Sequence, residues 1–108
     1  MPSYRASEGS SRGIVSGSYG FRTLTEATTI GQDDDVLLCD ADGGAFTVSL
    51  PPPRFMLHKR IEVKLVSASG SVTIEPTSGL IDGASGVLLV VQYESVSIVT
   101  DGTNWHLI

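Results

Sequence analysis

Apolar and polar residues alternate along most of this chain in short runs separated by turn residues. Residues 60–66 are the clearest case, with Ile61, Val63 and Leu65 on one side and Glu62 and Lys64 on the other. That period of two marks a half-buried strand. Residues 71–75 repeat the pattern with Val72 and Ile74, and Ser67-Ala68-Ser69-Gly70 between the two runs predicts a β-hairpin. Residues 45–50 place Phe46, Val48 and Leu50 on one face and Thr47 and Ser49 on the other. Pro51-Pro52-Pro53 ends that strand, because proline cannot donate to a ladder. Near the C-terminus residues 95–100 alternate again. Asp101-Gly102-Thr103 predicts a turn, since Gly tolerates positive φ and Asp bonds its own downstream backbone. Residues 104–108 then return, with Trp105 and Leu107 on the core face and His106 on the other. A chain closing on Leu107-Ile108 is expected to pair that end in a sheet.

The remaining apolar runs are shorter or less regular. Residues 21–29 alternate loosely and predict a first strand, and 36–39 (Val-Leu-Leu-Cys) a second, buried one. Leu80-Ile81 is a brief apolar step between turns. Residues 87–91 are apolar on both faces, which predicts a strand covered between two sheets or by a second subunit. The sum is about eight or nine short strands at roughly 8–12-residue spacing, the rhythm of a sandwich or jelly roll. No segment has a 3.6-residue period. The expectation is an all-β fold, a compact β-sandwich or jelly-roll-like single domain over residues 21–108.

Residues 1–20 break the pattern. Ser and Gly dominate, and Tyr4, Ile14, Val15 and Tyr19 are too sparse to bury a face. Such a segment reads either as a free tail or as an extended N-terminal arm that orders against a neighbour. On the arm reading those four residues are anchors, and Arg5 and Arg12 are polar contacts.

Composition supports the class and narrows the partners. The chain has 108 residues, enough for one core. Val, Ile, Thr, Ser and Gly suit pleated sheets and tight turns. No apolar run reaches transmembrane length and no signal-peptide pattern opens the chain, so no membrane association is expected. The net charge of −5, without a basic cluster, argues against a nucleic-acid partner. The single cysteine, Cys39, rules out an internal disulfide, suits a reducing cytoplasm and reads as a small buried hydrophobe.

Candidate chemistry is thin. Asp33-Asp34-Asp35 and Asp40-Ala41-Asp42 bracket the run at 36–39. A calcium loop needs ligands at fixed spacing and a closing Glu, so solvated turns are the better reading. Arg54, His58, Lys59 and Arg60 form the one cationic stretch, without the Gly-rich loop or stacking aromatics of a phosphate or glycan site. His58 and His106 are the only histidines and no nucleophile signature accompanies them. Two histidines without a second cysteine make no zinc pattern. The expectation is a protein that is not an enzyme and carries no cofactor or metal.

One resemblance adds to this picture. It rests on Asp34-Asp35-Val36-Leu37-Leu38-Cys39-Asp40 with a following Gly-Gly turn, then Phe46-Thr47-Val48-Ser49-Leu50-Pro51. Ile61-Glu62-Val63-Lys64, Val72-Thr73-Ile74-Glu75-Pro76 and Ile81-Asp82-Gly83 come next. Gln92-Tyr93-Glu94-Ser95-Val96 and Asp101-Gly102-Thr103-Asn104-Trp105 close the series. In that order and spacing, residues 33–108 resemble a small β-rich module of tailed-bacteriophage virion proteins. Similar modules occur in tail fibres, baseplate-associated proteins and small capsid decoration (cement) proteins, commonly as trimers. The resemblance implies a virion structural protein. Because the module fills nearly all of this chain, a capsid decoration protein on the capsid exterior is the leading expectation. A homotrimeric body would sit on the shell while its arm clamps adjacent copies of the major capsid protein. The alternative is a tail-fibre, baseplate or vertex module in host-surface attachment, partnered by a tail or baseplate protein. Apolar residues that intra-chain alternation leaves unassigned supply the expected contacts. These are Phe55, Met56, Leu57 and Tyr93 for the trimer, and Tyr4, Arg5, Arg12, Ile14, Val15 and Tyr19 for the capsid.

Overall fold

A computed structural model describes residues 20–108, and the expected arm contacts Tyr4, Arg5, Arg12, Ile14, Val15 and Tyr19 lie outside the described residues. The described chain is all-β apart from one 3-10 turn, Pro53–Phe55. Its strands are β1 (Phe21–Leu24), β2 (Thr28–Thr29), β3 (Val36–Cys39), β4 (Phe46–Leu50) and β5 (Arg60–Leu65). They continue as β6 (Val72–Pro76), β7 (Val87–Leu89), β8 (Ser95–Thr100) and β9 (Trp105–Leu107).

The strands form two mixed sheets, ordered β1-β3-β5-β8-β9 and β2-β4-β6-β7. The first six alternate between them. β1, β3 and β5 stack in parallel in one sheet while β2, β4 and β6 stack in parallel in the other. The chain therefore winds through three successive coils, and each coil crosses from one sheet to the other. The last three strands reverse direction: β7 runs antiparallel to β6, β8 to β5, and β9 to β8.

This winding corrects two expectations. A jelly roll pairs its strands antiparallel throughout, whereas five-strand and four-strand sheets here are each built on a parallel triplet. The predicted hairpin between residues 60–66 and 71–75 does not form, because β5 and β6 belong to different sheets. The physical reason lies in what alternation encodes. It tells which side chains turn inward, and Ile61, Val63, Leu65, Val72 and Ile74 are all fully buried as expected. It does not tell which strand lies alongside. Turn chemistry decides that. The Ser67 hydroxyl accepts the Ala41 N–H (2.9 Å) and donates to Ser69 O (2.8 Å), tying the third-coil turn to the second-coil turn.

The inward residues of both sheets share one core. Leu37, Cys39, Ile61, Val63, Leu65, Ile98 and Trp105 come from the larger sheet. Val48, Leu50, Val72, Ile74 and Leu89 come from the smaller, and Met56 and Ile81 enter from connections. Each large aliphatic side chain buried there contributes about 1.5–3 kcal/mol. The β8–β9 hairpin forms as predicted. Asp101 Oδ1 accepts the N–H groups of Thr103 and Asn104 (both 2.8 Å), and Gly102 takes φ +96°. Trp105 is wholly buried, yet its Nε1 finds no hydrogen-bond acceptor among the described residues.

Two other expectations change. The single strand expected at 21–29 is split, because the chain crosses between sheets at 25–27. The strand expected at 87–91 stops at Leu89, and of its residues only Leu89 is buried.

Candidate interaction surface

Winding collects the turns on two opposite rims. One rim carries the turns at 25–27, 40–45, 66–71 and 90–94, and the other those at 30–35, 51–59, 77–86 and 101–104. Exposed apolar side chains concentrate on both.

On the first rim Leu88, Val90, Val91 and Tyr93 are each more than half exposed. The loop that carries them is held firmly. Glu94 Oε1 accepts the N–H groups of Val90 (3.0 Å) and Val91 (3.2 Å), and the Glu94 N–H returns to Val91 O (2.9 Å). Tyr93 N–H donates to Leu65 O (2.6 Å), and Gln92 Nε2 donates to Val66 O (3.2 Å). Tyr93 occupies φ +71°, costly for a residue with a Cβ, and the surrounding bonds hold it there. Lys64 Nζ lies 5.4 Å from the Tyr93 ring centroid. These four side chains are the apolar surface that the first rim presents to water.

On the second rim the 3-10 turn presents Phe55 and Leu57, both more than half exposed, beside a shallow depression of about 560 Å³. Arg54 stacks its guanidinium 4.6 Å from the Phe55 ring centroid. Gln32 Nε2 donates to Phe55 O, and Lys59 pairs with Asp35. His58 takes φ +60° where the chain turns into β5.

The four expected trimer contacts therefore do not form one surface. Met56 is 2 % exposed and fills the core, so it is corrected from contact to core residue. Phe55 and Leu57 precede β5, whereas Tyr93 bonds to its last residue, Leu65. Six residues of strand separate the two groups by about 17 Å. Sequence reasoning also missed Leu88, Val90 and Val91, reading them as buried. Leu88 is the outward residue of β7, and the signal that marks Val90 and Val91 as a turn is Glu94, an acceptor placed to close the loop on their N–H groups.

The acidic clusters hold turns. Asp34 receives Arg22 through two bonds (2.8 and 3.0 Å) and the Gly31 N–H (2.9 Å). Burial alone would raise its pKa, but the Arg22 ion pair, the Gly31 N–H and the charge of Lys59 outweigh burial and hold it below the ordinary aspartate range. Asp35 accepts the Gly20 N–H (2.7 Å) as well as Lys59. Asp101, with His106 Nε2 at 2.7 Å, is held well below the usual carboxylate range, by the Asn104 N–H first, then by His106 and the Thr103 N–H. Cys39 ends β3 at the first rim and His58 sits at the second, so the fold keeps them apart. Burial pushes the Cys39 thiol up to about 11, which keeps it protonated and unreactive near neutral pH. No group of three metal-ligating side chains occurs among the described residues.

No protein-family model matches this chain, and a search of curated proteins returns no match.

Proposed function

We propose that this chain is a virion structural protein of a tailed bacteriophage, a trimeric decoration (cement) protein on the capsid exterior. The ordered series of signatures from Asp34 to Trp105 carries the proposal. Three features of the molecule favour it. The body is acidic, which favours solubility and disfavours packaged DNA. Its exposed apolar side chains stand on rigid turns, as a protein that docks without rearranging requires. Its two apolar rims are opposed, so Phe55 and Leu57 of one copy can meet Tyr93 of the next. Such a contact joins unlike surfaces and closes into a ring when the rotation allows, and a three-fold ring is the closure a trimer uses. The arm, through Tyr4, Arg5, Arg12, Ile14, Val15 and Tyr19, reaches adjacent major capsid subunits. Three such arms on one rigid body gain by effective concentration.

Removing residues 1–18 tests the reading. The shortened chain is expected to keep its far-UV circular dichroism and its unfolding midpoint while losing attachment to capsids stripped of the native protein. Attachment at full strength would overturn the arm's role.

A further inference from the structure

Two exposed charges, one on each rim, have no opposite charge beside them among the described residues. Arg22, Lys59 and Arg60 pair with Asp34, Asp35 and Glu62, and Lys64 lies beside the Tyr93 ring. That leaves Arg54, stacked over Phe55 on the second rim, in a connection (51–59) that holds no carboxylate. The turns of the first rim are the converse. They carry Glu26, Asp40, Asp42 and Glu94 and neither Lys nor Arg. Glu94 is engaged with the N–H groups of its own loop. Asp42 is exposed and held in place, because its Oδ1 accepts the Ser69 N–H (3.3 Å) and hydroxyl (2.7 Å). Its Oδ2 is left to meet a cation from outside.

We propose that Arg54 of one copy of this chain pairs with Asp42 of the next and sets the register of the contact between their rims. This pairing deepens the contact of Phe55 and Leu57 with Tyr93 and rests on it. Each rim presents an apolar group and a charge, in the same order along the coil stack. On the second rim Phe55, which carries Arg54, leans toward the early coils, its carbonyl accepting Gln32 Nε2 from the turn at 30–35. Leu57 leans toward the last strands. Its Cδ1 lies 2.8 Å from where a Cβ on Gly102 would stand, and the His58 N–H donates to Thr100 O (3.2 Å). On the first rim Asp42 stands in the turn after β3, whereas Tyr93 leads into β8 with its N–H on Leu65 O of β5. A rotation about the stack axis preserves this order. It brings Leu57 of one copy onto Tyr93 of the next, and Arg54 onto Asp42. The spans agree. Neighbouring strands lie about 4.8 Å apart, which sets Asp42 roughly 5–10 Å from Tyr93 along the stack. Arg54 and Leu57, three residues apart, span at most about 11 Å. A reversed docking would set Arg54 against Lys64, a like charge, so the pair selects one orientation as well as one register.

The test is a double-mutant cycle on the full chain, read as the self-association constant by sedimentation velocity. Asp42→Asn keeps an oxygen for Ser69 and loses only the charge, and Arg54→Gln changes an exposed side chain. Each single change is expected to weaken association about threefold per contact, within the range of a surface ion pair. The double variant is expected to be no weaker than either single one. Salt gives a second readout without substitution. Raising it from about 0.1 to about 1 M shortens the screening length from about 10 to about 3 Å. The wild-type contact is expected to weaken by a similar factor and that of the double variant not to weaken. Losses that multiply in the double variant, or an equal salt response in both chains, would overturn the pairing and leave the apolar contact standing. A wild-type chain that stays monomeric would overturn the contact and the pairing together.

Discussion

Gly70 is where the coiled winding can be tested by a single methyl group. It takes φ +83° in the turn between β5 and β6, and a Cβ there would lie 2.1 Å from Ala41 O and 2.7 Å from Ala41 Cβ. Ala41 cannot yield easily, since its N–H is held by Ser67 Oγ (2.9 Å) and its carbonyl by the Gly44 N–H (3.0 Å). In Gly70→Ala the left-handed backbone costs about 1–2 kcal/mol. Forcing the stacked turns apart costs about another 1–3 kcal/mol. Gly83→Ala is the control: φ is +80°, but nothing lies within 4 Å of the added carbon, so only the backbone cost applies. Both substitutions remove the same unfolded-state freedom, which cancels in the comparison. Urea unfolding of the two variants is expected to separate their midpoints by on the order of 1 M, with unchanged slopes, Gly70→Ala being the weaker. In a simple β5–β6 hairpin residue 70 would sit in an open loop. Equal midpoints would therefore refute the stacking of coils.

Three further outcomes follow from particular side chains. Trp105→Phe removes a buried N–H that has no acceptor among the described residues, worth about 1–3 kcal/mol, and this offsets much of the lost packing. It should cost far less than Trp105→Ala, at about 3–5 kcal/mol, and equal losses by urea unfolding would contradict the account. Cys39 should resist a thiol reagent at pH 8 until denaturant is added, and rapid labelling of the native chain would contradict its burial. Asp34 and Asp101 are held below the ordinary aspartate range in the folded chain, so their stabilisation is complete above that range and is lost as pH falls through the lower folded values. Melting temperature should hold steady from neutral pH to about 5 and fall below about 4, and Asp34→Asn should lessen that acid-side fall.

The faces of the strands were legible in the sequence, and their neighbours were not. Ile61, Val63, Leu65, Val72 and Ile74 point inward in either pairing, so their alternation is silent between hairpin and coil. The coils also hide as a repeat, because Phe21 aligns with Val36 and Val36 with Glu62, offsets of 15 and 26 residues. The β8–β9 turn was legible because Asp101 and Gly102 act within their own few residues. Exposure was harder to read. Leu88, Val90 and Val91 look like core residues by type; Leu88 faces out by its place in β7 beside buried Leu89, and the Glu94 carboxylate, reaching back to two N–H groups, folds Val90 and Val91 into a turn. Met56 looks like its neighbours Phe55 and Leu57, yet the 3-10 turn sends it alone into the core.

The proposed virion role meets its most direct test in a copy number: if a tailed phage encodes this chain, the count of the chain in that phage's purified particles, measured against the major capsid protein. A decoration protein is expected at about one copy per capsid subunit, the ratio that shell symmetry imposes when trimers fill three-fold positions. A ratio tens of times lower would move the chain to the tail or a vertex, and its absence from particles would contradict a virion role altogether.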